Sequence, residues 1–191
     1  MGYVLDILQG AGLALACGVN PFLPVLLAGA LASQDLGLDF DGTAFAFLEE
    51  GWFLLVVTVA LVLSVVLRSR LRSGPAQSAL IGIAIGFGAL LCAASVDDRS
   101  DVWWPGLLVG AACAALAAEA TRAILARTSR RLDAEAAAAL PLYAAGVSVL
   151  IAGLSVALPP LALLGIGFFG RLLARGRRRE GEKYAGLRIL R

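Results

Sequence analysis

The sequence predicts an all-α, polytopic transmembrane helical bundle, and three observations carry that prediction. The first is composition: 60% of the 191 residues are hydrophobic and 16% charged, with mean hydropathy +0.86. Soluble domains hold about 45–50% apolar and about 25% charged residues. A soluble fold of this size could not bury so much apolar surface, and lipid is its natural solvent. The second is that five long uncharged stretches separate short polar junctions. The third is that the sign of these junctions alternates. Asp35, Asp39, Asp41, Glu49 and Glu50 are followed by Arg68, Arg70 and Arg72. Asp97, Asp98 and Asp101 (with Arg99) are then followed by Arg122, Arg127, Arg130 and Arg131. Arg and Lys are retained on the cytoplasmic side of membranes, so this alternation describes a chain threaded back and forth.

A bilayer core of about 30 Å takes about 20 helical residues. The first block, residues 7–34, is uncharged but interrupted by Gly18-Val19-Asn20-Pro21-Phe22-Leu23-Pro24. Pro21 and Pro24 should break it into two pieces, each too short to span alone. They stack as one kinked crossing, or the first lies in the interface or re-enters. Residues 51–67 form the next span, with Trp52 as an interfacial anchor, and residues 73–96 the one after. The segment from Trp103 reads as a helix to about Arg127, with Pro105 suited to its first turn. Residues 136–170 are too long for one crossing, and Pro159-Pro160 divides them into spans over 136–158 and 160–176. Counting the first block once gives six spans, with both termini cytoplasmic in a cell inner membrane. The transmembrane domain covers 1–176, and 177–191 is a basic cytoplasmic tail.

The halves also match at an offset of 81 residues. Pro24-Val25-Leu26-Leu27-Ala28-Gly29-Ala30 aligns with Pro105-Gly106-Leu107-Leu108-Val109-Gly110-Ala111, and Ile85-Gly86-Phe87 with Ile166-Gly167-Phe168. Repeats over 4–96 and 103–176 would run in opposite directions, an inverted-repeat arrangement found in transporters. Short matches also arise by chance in a chain this rich in Ala, Leu and Gly.

Chemistry-bearing residues are few. With no His, the commonest metal ligand and neutral-pH proton carrier is missing. Cys17, Cys92 and Cys113 are isolated, so they read as small buried residues, and neither a metal nor a cofactor is expected. No catalytic set is visible, and the expectation is a protein that is not an enzyme. The break at Asn20, Pro21 and Pro24 is the candidate substrate-binding site, because carbonyls and amides freed there can meet polar groups where water is scarce. Asn20 can equally serve as a cap and the break as a structural kink. Glu119 is the carboxylate well inside a predicted span, and Arg122 at i+3 can pair with it. The two are candidate coupling or gating charges, or a structural ion pair. Gly82-x-x-x-Gly86 and Gly106-x-x-x-Gly110 offer close helix approach, expected within the chain rather than between copies. From Arg171 to Arg191, eight basic residues face two acidic ones, net +6. Arg177, Arg178 and Arg179 there can contact anionic lipid headgroups or simply anchor topology. Nucleic acid is not an expected partner, since aromatic and motif support is missing.

The run from Leu15 through Ala16-Cys17-Gly18-Val19-Asn20-Pro21-Phe22-Leu23-Pro24 to Leu27, read with Phe45-Ala46-Phe47-Leu48 before Trp52, resembles the bacterial membrane proteins grouped as domain of unknown function 4126. The shared features are an Ala-Cys-Gly opening with a proline in the first block, a Phe-x-x-Leu stretch before the second span, and overall length. Family members often carry acids and a proline around the end of the second span, where Ser64-Val65-Val66-Leu67-Arg68 has no acid. The resemblance implies a small polytopic bacterial membrane protein and supplies no activity. Two functions suit the residues: a transporter, channel or lipid translocator for a small or lipid-like substrate, or a non-catalytic accessory subunit of a larger membrane complex. The scarcity of polar residues in the spans argues against a wide aqueous pore. Expected partners are the bilayer with its anionic headgroups, and a homo-oligomeric or membrane-complex neighbour.

Overall fold

A computed structural model describes residues 2–67, 75–97, 102–129 and 131–187, with the side chains of 134, 135 and 176–187 excepted. Seven α-helices and one short 3-10 turn (Ala46–Leu48) occur among them, with no strand. The helices are α1 (Gly2–Val19), α2 (Leu23–Ala32), α3 (Gly51–Val66), α4 (Pro75–Asp97), α5 (Trp104–Ser129), α6 (Ala134–Ala157) and α7 (Leu161–Leu187). By length and composition, α1, α4, α5 and residues Ala136–Ala157 of α6 can each cross a membrane, whereas α2 and α3 are apolar but shorter.

The centre of the bundle is α1. Its residues from Gly10 to Gly18 are buried without interruption, more than two turns with no outward face. Small residues make this enclosure possible. A Cβ on Gly10 would lie 2.7 Å from the Cys92 backbone of α4, and one on Gly18 would collide with Ala114, Ala117 and Ala118 of α5. Gly12 lies against Ser155 of α6 and Ala162 of α7.

The same contacts give the helix directions. Gly10 meets Cys92 while Gly88 meets Ala14, so α4 runs antiparallel to α1. Gly106 meets Cys92 and Ala93, and Gly110 meets Gly88 and Ala89, so α5 is antiparallel to α4 and parallel to α1. Gly12 meets Ala162 and Leu15 meets Gly165, so α7 also runs parallel to α1.

The first block breaks where the prolines stand, but its pieces do not stack end to end. After Val19 the chain turns at Asn20–Phe22, and α2 climbs back along the bundle. Gln9 Nε2 donates to the Gly37 carbonyl at 2.8 Å, which puts the chain just beyond α2 level with the first half of α1. The block is therefore a hairpin, not one kinked crossing. Its start lies at the end that carries Asp35, Asp39 and Asp97, where Asp6 and Gln9 share a cavity with Asp35 and Asp39. The chain entering α3 is tied to that end too, with the Ala44 amide donating to Asp97 Oδ2 at 3.1 Å.

From there α3, α4, α5, α6 and α7 traverse the bundle in alternating directions. The beginning of α1 and the far end of α7 consequently lie at opposite ends, a correction to the expectation of both termini on one face. The reason is that a hairpin returns to its starting face whereas a crossing does not. Unlike the expected piece too short to span alone, α1 has 18 residues. It takes in Asp6, which is only 6% exposed within the acidic end.

Of the two glycine pairs, Gly106 and Gly110 pack within the chain as expected. Gly82 and Gly86 do not: a Cβ on either would meet nothing within 4 Å. Arg68, Arg70, Arg72, Asp98, Arg99, Asp101 and Arg130 lie outside the described residues.

Candidate functional site

The helical break is the feature around which a site can be built. Pro21 has no amide and ends α1, so the chain must reach α2 without regular helix bonds. Asn20 makes that turn. Its backbone amide closes the last bond of α1 to Ala16 O at 3.0 Å. Its side-chain Oδ1 accepts from the amides of Phe22 and Leu23 at 3.1 and 3.3 Å, an Asx turn leading into α2. Pro24 occupies the first turn of α2, where its missing amide costs nothing. Phe22 fastens the turn to the bundle, 5% exposed and edge-on to Phe87 of α4 with ring centroids 6.4 Å apart. Asn20 thus closes the turn before α2 rather than capping it, since the N-cap position is Phe22 and carries no side-chain cap bond.

Two consequences follow for a ligand. The amides that would have answered the carbonyls of Cys17, Gly18 and Val19 are absent (Pro21) or turned to Asn20 Oδ1. Those carbonyls are left without donors among the described residues, as at any uncapped helix end. In addition, the side-chain nitrogen of Asn20 has no acceptor among the described residues.

The break lies well inside the bundle. Gly18 packs against Ala114 and Ala118 of α5, about 15–21 Å along that helix from Trp104. Two cavities adjoin it. One, of about 440 Å³, is walled by Gly18, Val19 and Pro21 at its inner end, and by Gln77, Ser129 and Ala137 toward its mouth. Because Gln77 opens α4, Ser129 closes α5 and Ala137 opens α6, this cavity faces the basic end. The other, of about 640 Å³, lies between the turn, α3 and α6 and includes Asn20, Pro21 and Phe22. Pro141 of α6, inside its helix, lines both.

Glu119 and Arg122 form the ion pair that their spacing implies, Nη2 to Oε2 at 2.7 Å, with both side chains about half exposed. Arg122 lines the cavity at the basic end and Glu119 does not. The structure therefore brings Arg122 to the same cavity as Pro21, while Pro24 is buried behind the turn and lines neither cavity. The side chains of Arg177, Arg178 and Arg179 lie outside the described residues.

Sequence reasoning missed Pro141, Gln77 and Thr121. A proline eight residues into α6 was a legible signal, because it removes an amide and clashes with the carbonyl four residues back. Gln77 and Thr121 carried none, being single polar residues whose partners come from other helices. Asp6, buried beside Gln9, Asp35, Asp39 and Ser95 at the acidic end, also went unnoticed as a lining residue. Among the described residues no group of three potential metal ligands occurs.

A buried central helix, a break within the bundle and apolar outer faces together define a membrane-spanning helical protein. The chain belongs to the family described as domain of unknown function (DUF4126), whose model matches residues 7–179. No curated protein and no solved structure matches it.

Proposed function

We propose that this protein moves a small or lipid-like substrate across a bacterial inner membrane, with the α1–α2 turn as the site and no catalytic step. The observation that carries the reading is the turn itself. A break with unanswered carbonyls and a free amide nitrogen stands at mid-depth, at the inner end of a cavity open to one end of the bundle. Irregular backbone at such depth is tolerated only where it is enclosed by protein or lines a cavity. Toward the acidic end a separate cavity of about 310 Å³ surrounds Asp6 and Gln9. The buried run from Gly10 to Cys17 separates the two, as a closed barrier between alternating vestibules would.

The basic end faces the cytoplasm in this reading, which leaves the start of α1 outside and the tail inside. Inverted halves are supported by direction: α2 and α5, α3 and α6, and α4 and α7 run oppositely within each pair. The lengths differ, since α2 has 10 residues and α5 has 26.

The test is reconstitution into liposomes, with one assay for fluorescent phospholipid crossing to the outer leaflet and another for swelling in a small neutral solute. Movement of either above protein-free vesicles is expected. If neither moves, the transport reading fails. An accessory subunit is the second reading, favoured by Gly82 and Gly86, which leave room on α4 for a foreign helix. Intact-complex mass spectrometry from native membranes would then find a stoichiometric partner.

A further inference from the structure

The two cavities beside the turn share Pro21, Leu80 and Pro141 along their walls, so they lie side by side around a bend, as two limbs with different chemistries. The limb toward the basic end carries Gln77, Thr121, Arg122 and Ser129, with no carboxylate among the described residues of its wall. The other limb is bounded mainly by aliphatic side chains, Val62, Val65 and Val66 of α3 and Leu142 of α6. Val66 and Leu142 are 71% and 77% exposed, so this limb opens sideways through the apolar surface rather than toward either end. Asn20 lines the sideways limb, and its unanswered nitrogen offers two donors there.

We infer that this bent space binds an anionic membrane lipid, its phosphate beside Arg122, its ester region at the Asn20 amide and its acyl chain in the groove between α3 and α6. The inference rests on the reading above only in taking the turn as the site. The Arg122 guanidinium and the Asn20 side-chain nitrogen both offer donors along the two limbs, which suits a ligand rich in acceptors. The unanswered carbonyls at the end of α1 repel an anion, so the phosphate does not sit at the turn. Arg122 lies one helical turn beyond Ala118, the residue that Gly18 meets, about 6 Å nearer the basic end. Glu119 engages one Arg122 nitrogen. A guanidinium has five N–H donors, so others remain for a phosphate. A small hydrophilic solute would leave the aliphatic limb unfilled, and a cation would meet the Arg122 charge. A lipid also has a route in, since the sideways opening faces its own solvent.

The test incubates the purified full chain with equal amounts of phosphatidylglycerol and phosphatidylcholine, and reads retained lipid by native mass spectrometry. Phosphatidylglycerol should be retained about tenfold better, because both phosphates can accept from Arg122 but choline brings a fixed positive charge that the guanidinium repels. Arg122→Gln should erase that preference, whereas Arg127→Gln, exposed on the same helix and outside the space, should keep it. Leu142→Trp, at an exposed position that tolerates bulk, should lower retention of both lipids by obstructing the groove. Glycerol phosphate, a headgroup without a chain, should not displace bound lipid. Equal retention of the two lipids, equal loss in Arg127→Gln, or displacement by glycerol phosphate would each overturn the inference. Selective retention without movement in the liposome assays would sink the transport reading and leave this one standing. Movement without selectivity would do the reverse.

Discussion

At Asn20 one side chain closes the turn and, in the proposed site, also meets the ligand. Its oxygen closes the turn and its nitrogen is left over, so the two readings open at the sequence level are not exclusive. That division was illegible beforehand, because which amide atom faces the backbone depends on the turn that forms. Outside the spanning helices, the fold perturbs the titration of Glu49. Loss of water raises its carboxyl above the ordinary value of 4.5, and the neighbouring Asp41 and Asp39 push in the same direction against a lowering bond from the Phe40 backbone. A carboxyl raised in the folded state binds its proton more tightly there than in the unfolded chain. Its contribution is complete below pH 4.5 and is lost as pH rises through the raised value. Glu49→Gln should flatten the fall in thermal midpoint above pH 4.5, measured by fluorescence melts in detergent. Parallel slopes in the two proteins would refute this.

Among the elements, α1, α4 and α5 form a trio held at backbone contact by glycine. Helix association in lipid draws on packing rather than on a hydrophobic driving force, so such close approaches matter more than apolar area. A Cβ at Gly110 would lie 2.5 Å from the Gly88 carbonyl oxygen, with the Ala89 backbone at 2.9 Å, and neither neighbour can yield cheaply. Gly110→Ala should therefore destabilise the protein by about 1–3 kcal/mol, as overpacking does. Gly86→Ala meets nothing and should be neutral or stabilising by up to about 1 kcal/mol through helix propensity. Thermal unfolding of both variants in the same detergent checks the contrast, and equal losses would contradict the packing described. The two GxxxG pairs looked alike in sequence. Only the neighbours of each helix told them apart.

For the whole molecule, the described acids Asp35, Asp39 and Asp97 gather at one end, as the alternating charge junctions implied. They did not predict where the chain starts. Both Pro21 and Pro24 signalled a break, but a proline fixes where a helix stops and not where the next one goes. The return of α2 depends on Gly37 reaching Gln9, and on Gly29 admitting Leu48 and Leu54 of the following segment. Reporter fusions to the two ends should therefore fall on opposite faces of the membrane. Termini found on one face would restore the six-crossing arrangement and overturn the hairpin.

The sequence by itself determined the environment, the helical class, the places where helices stop and the i,i+3 pairing of Glu119 with Arg122. These depend on local composition and on spacing along one helix. Tertiary structure alone decided that α1 is the enclosed core rather than an outer span, that its partner turns back, and that Arg122 and Asn20 line adjoining cavities that share Pro141. Those relations join residues that lie far apart in the chain, 28 positions for Gln9 and Gly37. They are set by which small side chains let backbones touch, and no local pattern encodes that choice.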